Sequence, residues 1–171
     1  MKIQWEIRKN KELSVQEKND IINLKEQYWK HGICSQLEWM DKNIKDGDIH
    51  LIARGTDGFI CAYLNIVQLN VLVDERKIQC LGIGNVCVDS KYKHNGLGSE
   101  LCKKANTIIR EKGQQGILLC KKSLLPFYDK CNWKVIRPME VYIESQKYVQ
   151  EVMVYPEMNQ EIEKILINRN F

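Results

Sequence analysis

The chain moves between two rhythms of apolar and polar positions. From Ile3 to Ile7 they alternate, which predicts a short strand. From Ser14 to Tyr28 the period changes: Ile21, Ile22, Leu24 and Tyr28 share one helical face, and Ser14 with Glu17 has the spacing of a capping box. His31-Gly32 closes that helix. Ser35 to Lys45, with Leu37, Trp39 and Met40, predicts a second helix, and Asp46-Gly47-Asp48 a turn. The middle third is strand-rich. His50 to Ala53 and Ile60 to Leu72 flank Gly55-Thr56-Asp57-Gly58 and read as a hairpin. Lys77 to Val88 is a third strand, interrupted by Gly82 and Gly84; glycine inside a strand marks a bulge or a close backbone approach by a ligand.

The strongest helical pattern runs from Gly96 to Lys112. Leu97, Leu101, Ala105, Ile108 and Ile109 form its face and Gly113 closes it. Gly116 to Leu119 is a short apolar strand. Ser123 to Lys130 predicts a short helix with Ser123 as N-cap and Pro126 in the first turn. Trp133 to Ile136, Glu140 to Ile143 and Tyr148 to Tyr155 read as strands, and Glu161 to Ile167 as a terminal helix. This order predicts a mixed α/β (α+β) fold in a single domain, residues 1–171, with no repeat and no linker long enough to divide it.

Composition narrows the picture. With 171 residues, 44% apolar and 28% charged, the chain can build its own core; disordered, collagen-like and staple-dependent classes are excluded. No run of 18 apolar residues and no N-terminal apolar stretch is present, so a cytoplasmic protein without a membrane partner is expected. The seven cysteines are odd in number and lack C-x-x-C spacing. They read as small buried hydrophobes, with no metal site implied. The net charge of +4 is too small to indicate a nucleic-acid partner, and no helix carries a basic stripe with interleaved aromatics.

The charge is concentrated, however. Asn85 to Leu101 is an apolar strand end, a polar loop, and two glycines opening a helix. Lys91, Lys93, His94, Lys103 and Lys104 gather there against Asp89 and Glu100. A helix start presents unpaired N–H groups and the positive end of the dipole, and glycines let a ligand approach that backbone: an anion site suited to phosphate. The stretch is neither G-x-x-x-x-G-K-S/T nor G-x-G-x-x-G.

Val88-Asp89-Ser90-Lys91-Tyr92-Lys93-His94-Asn95-Gly96-Leu97-Gly98 resembles the pyrophosphate loop of the GNAT superfamily of acyl-CoA-dependent N-acetyltransferases, Q/R-x-x-G-x-G/A, with Lys93 for Arg or Gln and Ser90 for Pro. Phe127-Tyr128-Asp129-Lys130-Cys131-Asn132-Trp133 resembles that family's F-Y-E-K-x-G-F, with Asn132 for Gly and Trp133 for Phe. The resemblance spans roughly residues 1 to 155. It implies a GNAT fold, a twisted mixed sheet of six or seven strands with helices on both faces. It implies acetyl-CoA as cosubstrate and direct acetyl transfer to a primary amine. The backbone of Val86, Cys87 and Val88 would pair with the pantetheine arm, and Lys93, His94, Asn95, Gly96, Leu97, Gly98 and Ser99 would wrap the pyrophosphate. Tyr128 would be the general acid that protonates the departing thiolate. The family's dimers admit a homodimer here.

The nearest subgroup resemblance is to aminoglycoside 2′-N-acetyltransferases, through Cys80 to Val88 and Leu125 to Trp133. That subgroup's fourth strand carries a Glu where this chain has Gly84. A small-molecule amine is the leading acceptor. A protein or peptide N-terminus is the second reading, gripped by Tyr28 to Met40 and Arg137 to Tyr148, with Trp29, His31, Trp39 and Tyr142 as groove residues. A non-catalytic acyl-CoA-binding module is the third. His31, His50 and Glu140 are candidates for the base.

Overall fold

A computed structural model describes residues 2–158 and 161–171. The chain folds as two compact units. One comprises the chain up to Val67, Gly84–Leu101 and Phe171; the other comprises Gln68–Ile83 and Cys102–Asn170.

In the first unit, β1 (Gln4–Lys9) pairs antiparallel with β2 (Ile49–Arg54), and β2 with the leading part of β3 (Ile60–Val73). The hairpin predicted around Gly55-Thr56-Asp57-Gly58 is β2–β3. Helices α1 (Val15–Glu26) and α2 (Ile33–Asn43) complete this unit. The capping box forms as the sequence predicts: Ser14 Oγ accepts from the Glu17 N–H at 3.2 Å, and a Glu17 carboxylate oxygen accepts from the Ser14 N–H at 2.8 Å. Helix α1 buries Ile21, Ile22 and Leu24, and with them Lys25. Beneath lies a polar chain in the core. His50, fully buried, joins Asn10 Oδ1 at 3.1 Å and the Tyr63 hydroxyl at 2.8 Å. Because Asn10 Oδ1 can only accept, His50 Nε2 carries the proton and the Tyr63 O–H donates to Nδ1.

In the second unit, β4 (Arg76–Val88, its last five residues belonging to the first unit) runs parallel to β5 (Gln115–Cys120) from Cys80↔Gln115 to Ile83↔Leu118. Strand β9 (Glu151–Tyr155) lies antiparallel to β5 on one side and to β6 (Lys134–Ile136) on the other. Strand β10 (Lys164–Ile167) pairs antiparallel with Val71–Val73 of β3 and parallel with β7 (Glu140–Ile143), which pairs with β8 (Gln146–Lys147). Helix α3 (Leu97–Glu111) begins in the first unit and continues in the second. Its predicted face, Leu97, Leu101, Ala105, Ile108 and Ile109, is buried.

Three expectations need correction. Residues 161–167 do not form a helix; Ile165 and Ile167 are buried one residue apart, on a strand held on both sides. A β-branched pair at period two suits a pleated surface better than a helix. Ser123 does not cap a helix. It lies inside a 3-10 turn, Lys122–Leu124, and α4 (Leu125–Asp129) follows with Leu124 at its start. The described residues contain ten strands rather than six or seven: among the additions, β8 folds back on β7 in a tight hairpin and β10 takes the place of the expected terminal helix.

Candidate active site

The leading feature is how β4 ends. After its last pair with β5 at Ile83, Asn85 takes a φ of +54°, a left-handed conformation in mid-strand that redirects the backbone. The Asn85 side chain donates to Asn65 Oδ1 of β3 at 2.7 Å. Asn65 is fully buried, and its own Nδ2 has no hydrogen-bond partner. Beside them the main chain of Phe171 fills the space where a side chain at Gly84 would stand. At Gly84 the close approach is made by the chain's own backbone and not by the ligand that the sequence suggested.

Val86, Cys87 and Val88 follow. The Val88 carbonyl accepts from the Tyr28 hydroxyl. Cys87 points into the core, and burial pushes its thiol up to about 12, which removes it as a nucleophile near neutral pH.

The loop beyond is built from both sides. The Asp89 carboxylate accepts from the Lys91 N–H at 2.9 Å and from Gln27 Nε2 at 2.8 Å, while Gln27 Oε1 accepts from the Ser90 N–H at 3.0 Å. Gln27, at the end of α1, therefore clamps the start of the loop. Lys93 is extended and its Nζ lies 4.6 Å from the Tyr28 ring centre, a cation–π contact. His94 and Gly96 then take φ of +65° and +76°, bracketing Asn95, before α3 starts at Leu97. Two left-handed residues turn the backbone ahead of α3, whose first turn presents N–H groups without helical partners. A Cβ on Gly96 would meet nothing within 4 Å, so the space above this backbone is open. The arrangement fits a pyrophosphate.

Tyr128 belongs to the second unit. It lies on α4, is buried, and its ring meets Phe127 edge-on at 4.9 Å. Its carbonyl accepts from the N–H groups of Cys131 and Trp133, at 2.9 and 3.1 Å. That turn requires φ of +67° at Asn132, the position where the sequence substitutes Asn for Gly. Trp133 is buried, its indole N–H donating to Asn106 Oδ1 at 2.8 Å, and Asn106 donates in turn to the Cys131 carbonyl at 2.8 Å.

A cavity of about 370 Å³ opens in the first unit. Lys25, Trp29, His31, Gln36, Trp39 and Asn85 line it. Three of the four predicted groove residues, Trp29, His31 and Trp39, meet there. Tyr142 does not; it lines a separate cavity of the second unit with Lys164, whose Nζ stands 5.2 Å from its ring centre. Of the candidate bases, His31 is in the cavity. His50 is sealed in the core, where burial lowers it to about 4, and Glu140 lies on β7 accepting from the Tyr142 hydroxyl. The sequence reading passed over Lys25, Gln27 and Asn65. Lys25 follows Ile21 by four and Ile22 by three, so the helical period already placed it on the buried face.

The sequence profile of the acetyltransferase (GNAT) domain matches residues 8–136. The chain belongs to the GNAT acetyltransferase family. Solved structures agree in fold. An acyl-CoA N-acyltransferase from Pseudomonas aeruginosa is 18% identical with a TM-score of 0.64, over 90% of this chain and 99% of its own. The GNAT family N-acetyltransferase YhbS from Escherichia coli, in complex with CoA, is 16% identical with a TM-score of 0.67, over 98% of this chain and 92% of its own. Glucosamine-6-phosphate N-acetyltransferase from Arabidopsis thaliana is 19% identical with a TM-score of 0.57, over 78% and 94%. No curated protein sequence matches this chain. This GNAT acetyltransferase therefore has its family and fold established, and both motifs lie within the profile match.

Proposed function

We propose that this acetyltransferase moves an acetyl group from acetyl-CoA to a primary amine of a small molecule, by direct attack in a ternary complex. The observation that carries this reading is the loop from Lys93 to Ser99, with left-handed residues at His94 and Gly96, open space above Gly96, and a helix start behind it. The CoA-bound neighbour adds support. We read the two units as one catalytic domain, since the family profile runs through both.

Acetyl-CoA supplies an acyl group already activated as a thioester. The chain's residues do the rest. The N–H groups of Leu97, Gly98 and Ser99, with the loop from Lys93 to Gly96, hold the pyrophosphate. The backbone of Val86, Cys87 and Val88 aligns the pantetheine. The Tyr128 hydroxyl gives its proton to the sulfur as the carbon–sulfur bond breaks, and the amine's proton passes to solvent or to a cavity base. The 370 Å³ cavity beside Asn85 is within the range of small-molecule sites. An aminoglycoside acceptor is disfavoured: Gly84 supplies no carboxylate, and among the described residues none lines the cavity. The test is release of free CoA thiol with acetyl-CoA and a panel of small primary amines. No release with any of them overturns the reading.

A further inference from the structure

Lys25 is 3% exposed, yet it lines the cavity. No carboxylate among the described residues forms an ion pair with it. Its Nζ stands over the Trp39 ring, 4.9 Å from the centre. The neighbouring Glu26 is engaged elsewhere, its carboxylate accepting from Gln36 Nε2. The Glu26 charge acts on Lys25 without an ion-pair contact, and a buried ammonium without a direct anionic partner has given up most of its hydration, a cost that an opposite charge brought to it recovers. The other polar lining groups are His31, Ser35, Gln36 and Asn85, and among the described residues no Asp or Glu joins them. Such a lining is hostile to a polycation. It welcomes a molecule that brings a negative charge of its own, and the Trp29 and Trp39 side chains offer the rest of that molecule an apolar wall.

We infer that the acceptor is a small primary amine that also carries an anionic group, a carboxylate or a phosphate, and that Lys25 receives that group. The Nζ donates to the anion's oxygens while the amine end lies toward Asn85 on β4. This inference rests on the acetyl-transfer reading for its interest but not for its test, which reads binding directly.

The experiment is calorimetric titration of the CoA-loaded protein with amines paired to differ only in the anion. Tyramine against tyrosine tests the carboxylate, and ethanolamine against phosphoethanolamine the phosphate. In at least one pair the anionic member should bind about tenfold or more tighter, the usual worth of a charge-assisted contact in a buried site. Lys25→Met should remove that preference, with CoA affinity as the control for an intact fold; Lys25→Arg should keep part of it. Neutral members binding as well as anionic ones in both pairs overturns the inference, as does an unchanged preference in Lys25→Met. If Lys25→Met does not fold, the wild-type pairs decide alone. Anion-selective binding without CoA release would sink the transfer reading and leave this one standing. CoA release favouring polycationic amines would do the reverse.

Discussion

Gly84 and Phe171 meet main chain to main chain: a Cβ on residue 84 would stand 2.6 Å from the Phe171 carbonyl carbon and 2.9 Å from its oxygen. The contact explains why β4 carries no side chain at the position where the resembling subgroup has a carboxylate. Gly84→Glu should therefore not install a working base. It should displace Phe171 and destabilise the protein by about 1–3 kcal/mol, measured by chemical denaturation. A stable Gly84→Glu variant with raised turnover would overturn this account.

With Tyr128 as the proposed general acid, Tyr128→Phe should lower turnover about a hundredfold while leaving acetyl-CoA affinity unchanged, since such a proton would act on the leaving sulfur and not on binding. Single-turnover rates and a CoA binding isotherm separate the two. Equal turnover would remove Tyr128 from the chemistry.

Lys93→Ala should weaken CoA binding by roughly two- to fivefold, the scale of an exposed charge pair. The dependence of affinity on salt should fall with it. Lys93 stacks on Tyr28, so Tyr28→Leu should show a smaller effect in the same direction.

His50 sets a pH dependence of stability. Burial, then the nearby Lys18 and Lys25 charges, lowers it from 6.5 to about 4. Between those values the unfolded chain binds the proton and the folded chain does not. Stability is therefore full above pH 6.5 and falls as pH drops toward 4, by roughly 3 kcal/mol. Denaturant unfolding across that range should show the slope, and His50→Gln should flatten it. An unchanged slope would assign the acid loss to other groups.

Asn132 holds a left-handed turn that its family gives to Gly. Asn132→Gly should be neutral or slightly stabilising, and Asn132→Ala should cost about 1 kcal/mol. Thermal melts of the two variants test it.

Much of this was legible in the sequence. The α1 capping box, the β2–β3 hairpin and the buried face of α3 all follow from local chemistry, so a single stretch of chain was enough to predict them. Residues 164–167 were misread because their partners, Val71–Val73 and Glu140–Ile143, are remote in sequence, and an isolated apolar stretch does not declare its period. The site was half visible. The aromatics of residues 29–39 pointed to a groove, and Trp29 and Trp39 do line one cavity. Lys25 was missed because lysine is rarely buried.

Strand β10 joins β3 on one side and β7 on the other. Cutting the chain ahead of Lys164 would uncover two strand edges at once, one of them flanked by Val71 and Val73. Open, apolar edges recruit strands from other molecules. Damage at this place would be felt first as self-association, ahead of any loss of helix or of chemistry.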